Sequence, residues 1–324
     1  MKRSKNLLRK GAALAAMSTV LVSQAPLINA FAYGEADVSQ STFKQDTDNS
    51  ADFQNWLSNV WQGGEKAYAQ TENVALTPGS DAADLNFSWY SAGKGTPAVK
   101  VWKDGSKSSA KVVTGNAEAI SAENWQGKSY SAANKVNIAD YFEENTQYHY
   151  QYTDNYTGDD SIWSAEYDYT TKATDKFSVI LTGDPQVGAS GSSSDYSAND
   201  ASVARDAYNW NKTMQQALKT CPDASFLLSA GDQINQSGAT KDNDKKTRES
   251  EYAGYLYPSV FRSLPIAATI GNHDMAGSDY SAHFNNPNSE DKLGSTAAGS
   301  DFYFNYGDLS LIHISEPTRP EPIS

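Results

Sequence analysis

Cysteine is almost absent: Cys221 stands alone among 324 residues, so no internal disulfide can form. Stability must then come from packed cores, with a bound metal as the other available source. Cys221 lies just before Pro222 near an expected helix end and reads as a structural residue. Positive charge is also in deficit, with 26 Lys and Arg against 39 Asp and Glu and a net charge of −13. Such a surface repels nucleic-acid backbones and anionic membranes, which excludes a polynucleotide as the expected partner. It does not exclude a small phosphate ester, because bound divalent cations would dominate the local field. No apolar run is long enough for a stable bilayer anchor; the longest, Gly11 to Val22, follows the basic start Lys2, Arg3, Lys5, Arg9 and Lys10. With small residues at Ala30 and Ala32, this pattern predicts a secretion signal over 1–32 and an exported protein. Cleavage would remove five positive charges and no acids, taking the net charge to −18. No internal repeat and no wall-anchor motif is visible, and attachment to a cell surface stays open.

What is present divides the chain by period. A polar segment at 33–72 carries one apolar stripe, Phe53, Trp56, Leu57, Val60 and Trp61, at helical spacing, expected to dock on the domain that follows. Residues 73–170 alternate with period two, as in Leu85, Phe87 and Trp89 against Asn86 and Ser88, and again at Val99 and Val101, Tyr148 to Tyr152, and Trp163 to Tyr169. Gly- and Ser-rich breaks separate these runs, which predicts a β-sandwich of half-buried strands. Asn145 to Tyr148 has the look of a tyrosine corner, and the alternating aromatics read as core rather than as a carbohydrate platform. A linker is expected at 171–176. From 177 the pattern becomes strand, helix, strand, helix, strand: Phe177 to Thr182, Asn199 to Thr220, Ser225 to Ala230, Glu249 to Arg262 and Ile266 to Ile270. That order predicts an α/β layer with neighbouring parallel strands.

Three Gly-led motifs sit at the exits of the three strands: Gly183-Asp184-Pro185-Gln186, Gly231-Asp232-Gln233 and Gly271-Asn272-His273-Asp274. One Gly-Asp pair is a common turn. Three at successive strand ends point instead to a site, because open α/β sheets bind ligands at the carboxyl ends of their strands. Oxygen donors with one imidazole suit metal-assisted hydrolysis, the imidazole serving as ligand or proton donor. With Leu76-Thr77-Pro78-Gly79 at the sandwich start, these residues resemble the metallophosphoesterase superfamily, and within it secreted purple-acid-phosphatase-like enzymes with an N-terminal fibronectin-like domain. The resemblance spans roughly Asn73 to Gly307. It implies an all-β sandwich followed by an α/β metallophosphoesterase domain, and a dinuclear centre of iron, zinc or manganese. By the same resemblance Asp184 ligates one metal, Asp232 bridges both, Asn272 ligates the second and His273 faces the substrate, a small phosphate monoester or possibly diester. A metal-activated water would be the nucleophile.

The chain departs from the family in three places. Gln186 stands where the first motif carries a histidine, and is expected to ligate or to orient a water. Asn235 stands where purple acid phosphatases place the tyrosine that colours them, so no charge-transfer iron site is expected. The family's later histidines, ending in Gly-His-x-His, have no counterpart: only His283 and His313 follow His273. His283 reads as a satisfied or loop histidine. The α/β domain is expected to run over 177–311 and to be incomplete at its C-terminus. The segment 312–324, with Pro317, Pro320 and Pro322, is expected to be a non-native tail. The chain alone is therefore expected to turn over poorly. A nucleotidase or nucleotide phosphodiesterase within the same superfamily is a second enzymatic reading. A non-catalytic cell-surface or carbohydrate-binding protein on the same scaffold is the alternative outside catalysis.

Overall fold

Alternation of side chains across a pleat organises the first half of the protein. The computed structural model describes residues 50–63, 72–125, 127–190, 200–289 and 301–313. The expected secretion signal and most of the 312–324 tail lie outside them. The chain divides into two units; Met1–Lys44 lies outside the described residues, and everything described here belongs to the unit Gln45–Ser324.

Eight strands, β1 (Ala75–Pro78), β2 (Leu85–Ser91), β3 (Ala98–Lys103), β4 (Lys111–Thr114), β5 (Asn116–Glu123), β6 (Ser129–Ile138), β7 (Gln147–Thr153) and β8 (Tyr167–Thr170), form two sheets. Their orders are β1-β2-β6-β5 and β4-β3-β7-β8, antiparallel throughout. The sheets meet over one core: Leu85, Phe87, Trp89 and Val136 of the first pack with Val99, Val101, Tyr148 and Tyr150 of the second. The Tyr148 hydroxyl accepts from the Glu143 backbone N–H at 2.8 Å, the bond back to the preceding chain that makes a tyrosine corner.

The expected half-buried strand at 85–91 is corrected by the structure, since every residue of β2 is buried. Its outer face, which the sequence assigns to solvent, is covered by the segment 282–285. Ser88 Oγ donates to the Ala282 carbonyl at 2.9 Å, and Asn86 and Thr77 donate to the Asn285 carbonyl at 3.0 and 2.7 Å. A polar face was still required, because these hydroxyl and amide groups are hydrogen-bonded in burial. The last strand is also shorter than its alternation suggests, β8 beginning at Tyr167, so Trp163 and Ala165 fall outside it.

In the second sheet, His149 of the interior strand β7 places Nδ1 2.7 Å from Asp168 and Nε2 3.0 Å from Asp104. Burial pulls the imidazole pKa down, but the bonds to Asp104 and Asp168 outweigh it and the net shift is upward. A raised folded-state pKa means the contribution is complete below the ordinary histidine value of about 6.5 and fades as pH rises through the folded value. Thermal midpoints of the protein and His149→Gln are therefore expected to differ more at pH 5.5 than at pH 8.5. An equal difference at both would remove the ion cluster as its cause.

The second half alternates strand and helix. Strands β9 (Ser178–Thr182), β10 (Ala224–Ser229) and β11 (Ile266–Ala268) pair in parallel with β10 in the middle. Helix α2 (Asp200–Thr220) connects the first two, and α3 (Asp242–Tyr255) lies between the second and third. The helix expected at 249–262 thus begins earlier and stops earlier. Asp242 and Asp244 in its first turn favour a helix N-terminus there, and Pro258 ends the run before a short 3₁₀ turn, Ser259–Arg262. The N-terminal stripe belongs to α1 (Ala51–Trp56) and the π-turn Leu57–Trp61. It docks on the α/β half: Phe53 and Trp56 pack on Tyr208 of α2, and Trp56 and Trp61 on Tyr257. Expected contact with the domain next in sequence is corrected there. A hairpin of β12 (Phe302–Tyr306) and β13 (Leu309–His313) covers Phe226 and Ala267 with Phe302 and Phe304. Strand β13 crosses position 311, where the sequence reading ends the α/β domain.

Candidate active site

Each of the three Gly-led motifs leaves its strand at the same end of the parallel sheet. Asp184, Gln186 and Asp232 all have positive φ, at 50°, 35° and 50°. That region is uncommon for residues with a Cβ, and such backbone strain collects where a side chain must be aimed. Asp184 N–H donates to the Gly231 carbonyl at 3.3 Å and Gln186 N–H to the Asp232 carbonyl at 2.9 Å, so the first two loops run side by side. The third joins through the His273 N–H, which donates to Asp232 Oδ1 at 2.9 Å. The Gln186 amide donates to Asp232 Oδ2 at 3.2 Å. Asp232 is thus the buried centre of the cluster, at 6% exposure. Asp184 and Asn272 are exposed at its rim, and His273 is half-buried.

His273 Nδ1 lies against the carbonyl of Asn235, which can only accept, so Nδ1 carries the proton. Nε2 is left to take or give a proton, or to bind a metal. Asn235 therefore holds His273 through its backbone carbonyl.

Sequence motifs did not reveal what holds these loops. Arg248 of α3, 1% exposed, donates to the carbonyls of Gln236, His273 and Asp274 at 2.5, 2.6 and 2.6 Å. Its remaining N–H groups grip Asp279 at 2.7 and 3.0 Å. Asp274 accepts from the Gly271 and Gln233 N–H groups and the Tyr252 hydroxyl, at 2.8, 3.2 and 3.2 Å. Burial raises the Asp274 carboxyl to about 6, the Gly271 N–H opposing it and the Asp232 charge adding to it. Beneath the second loop Glu251 accepts from the Gln236 and Asn235 N–H groups at 2.7 and 3.0 Å. Burial pushes its pKa up to about 8 against those bonds, so it is protonated at neutral pH. Asp206 of α2 holds the first loop the same way, accepting from Gly188 and Ser190 N–H at 2.9 and 3.0 Å. Arg248, Glu251 and Asp206 lie on helices outside the motifs and carry no local pattern by which to find them, whereas Asp274 belongs to the third motif.

Among the described residues, no three His, Cys, Asp or Glu side chains come together in a metal-holding group. Both oxygens of Asp232 already accept hydrogen bonds, from His273 and Gln186. The expected two-metal centre of iron, zinc or manganese is therefore not evident among the described residues. His283 takes no part. It is buried in the interface with the sandwich, Nε2 3.0 Å from Glu249 Oε2, and its ring lies between Tyr90 and Tyr252.

No family model matches the chain, and no curated protein matches it. Among solved structures, the purple acid phosphatase PPD1 isolated from yellow lupin (Lupinus luteus) seeds is similar in fold, with a TM-score of 0.52 and 13% identity over 74% of this chain. The chain spans 44% of that protein's length. At this identity the likeness is one of fold: a β-rich part joined to an α/β part, as in a purple acid phosphatase.

Proposed function

We propose that this protein is a secreted phosphoesterase that hydrolyses small phosphate esters at the ends of β9, β10 and β11. The observation that carries the reading is the meeting of Asp184, Gln186, Asp232 and His273 at one sheet end, with three of the four in strained backbone. In this reading Asp184, Asp232 and Asn272 form the metal-holding side of the site, which further donors complete. His273 acts on the ester through Nε2, its other nitrogen being held by Asn235. Asp232 fixes the position of His273 through the backbone N–H. The likeness to a purple acid phosphatase fold supports the substrate class.

The test compares this chain with the longest reading frame that contains it, on an aryl phosphate with added Mn, Zn or Fe. Metal-dependent turnover is expected in the longer frame. Asp232→Asn there should lose at least on the order of 10- to 100-fold in metal affinity, read by calorimetry, or in activity, the loss typical when only a partner behind a ligand is removed. Turnover indifferent to Asp232→Asn sinks the assignment.

A second reading is favoured by one observation. Both oxygens of Asp232 accept hydrogen bonds within the protein, from the His273 N–H and the Gln186 amide, as suits a scaffold that binds without catalysis. Absence of metal-dependent turnover in every frame would select it.

A further inference from the structure

The geometry points to a second binding site beside the strand ends: a cleft of about 980 Å³ that receives the uncharged alcohol portion of the ester. The proposal rests on the phosphoesterase reading for the identity of the ester, and on its own geometry for the cleft.

Three parts of the fold wall it. The two loops that carry the site supply Ala239, seven residues beyond Asp232, and Gly277, four residues beyond His273. These loops touch, since a Cβ on Gly277 would stand 3.4 Å from that of Ala239. Helix α3 supplies the floor, including Arg248, whose guanidinium binds the His273 and Asp274 carbonyls. The site and the cleft therefore share their loops and one anchoring residue.

The third wall is β5, the edge strand of the first sandwich sheet. Its pairing with β6 slips between Ala119 and Ala122, so Ile120 and Ser121 leave the regular ladder at the place where the strand faces the cleft. Bulges of this kind re-aim side chains and gather near functional sites. One end of β5 is fastened to α3: Lys246 pairs with Glu123 at 2.6 Å, and the Trp125 indole donates to Thr247 at 3.0 Å. The wall is held at a fixed distance from the helix rather than closed upon it.

Charge selects the ligand class. The ionic groups in the wall have partners within the protein: Lys246 with Glu123, Arg248 with Asp279, Lys245 with Asp242, and Glu249 with His283. Much of the remaining wall is alanine, with Ile120 and the Tyr90 ring. Paired charges in a wall of mixed polar and apolar surface favour a neutral, partly apolar group over a second phosphate or a cation. Its volume lies near the upper end of small-molecule pockets, roughly 300–1,000 Å³.

The test uses methyl, benzyl and 1-naphthylmethyl phosphate, primary alkyl esters of one charge and similar leaving groups, with the form of the protein that turns over aryl phosphate. KM is expected to fall at least tenfold from the methyl to the naphthylmethyl ester. Ser121→Trp, which fills the cleft from an exposed edge position, is expected to abolish that fall while leaving the KM and kcat for methyl phosphate unchanged. Independently, 1-naphthalenemethanol is titrated into this chain and followed by its fluorescence. Saturable binding that weakens at least tenfold in Ser121→Trp supports the cleft. Turnover with a flat KM series and no alcohol binding overturns the cleft and leaves the phosphoesterase reading standing. Alcohol binding without turnover of any ester overturns the phosphoesterase reading and leaves the cleft.

Discussion

Arg248→Ala is expected to cost the protein about 3–5 kcal/mol, because it strands Asp279 as a buried charge without its partner. The side chains of Arg248 and Asp279 are 1% and 9% exposed, and the pair is bidentate at 2.7 and 3.0 Å. Burial lowers the guanidinium pKa, yet the Asp279 charge and hydrogen bonds raise it overall, so Arg248 stays charged at any ordinary pH. Three backbone carbonyls lose their donor at the same time. Domains are stable by only about 5–15 kcal/mol, so one such loss can unfold a large share of molecules at 37 °C. Arg248→Lys should recover little, since an ammonium cannot span Asp279 and carbonyls on two loops as the planar fork does. Urea unfolding measures both variants. A loss below about 1 kcal/mol would mean that Asp279 regains solvent and that the clamp is not a determinant of the fold.

Gly271→Ala is expected to damage the strand-end site while most of the fold survives. A Cβ at Gly271 would stand 2.0 Å from Asp232 Oδ1 and 2.2 Å from the Asp232 nitrogen. Neither can be accommodated by rotating a flexible side chain, since one is backbone and the other is already bonded to His273 and lies in a buried carboxylate. The third loop must back away, at a cost of roughly 1–3 kcal/mol for overpacking. The bond between His273 N–H and Asp232 goes with it. Gly231→Ala should behave alike, with φ of +99° adding backbone strain and a Cβ 2.8 Å from the Gly271 Cα. Thermal melting reads the stability, and the amide resonance of His273 reports the lost bond. A variant with unchanged melting and an unshifted His273 amide would show that the loops can part without consequence.

The two alanine substitutions also show where the candidate site was legible. The Gly-Asp and Gly-Asn-His-Asp motifs place their residues at strand ends by chain order alone, and the glycines are needed because two loops cross at contact distance. Their anchors were illegible. Arg248, Glu251 and Asp206 sit on helices where a charged residue reads as solvent-facing, and only the fold buries them beneath the loops. Likewise β6 escaped the period-two pattern because it is paired on both sides and buried at Ala132, Ala133 and Asn134 in succession, which erases alternation. Polar β5 escaped it as an exposed edge strand, and with it the bulge that lines the cleft.

By itself the sequence determined the order of a β-rich half and an α/β half, the three strand exits and the residues they carry. Those follow from periods of two and 3.6 residues and from glycine, which act over a few neighbours in the chain. Tertiary structure alone decided that the outer face of β2 is buried under residues 282–285, that the N-terminal aromatic stripe docks on α2, and that α3 clamps the strand-end loops. These depend on contacts between residues more than a hundred positions apart in the first two cases, and on buried charge pairing in the third. No local pattern encodes either.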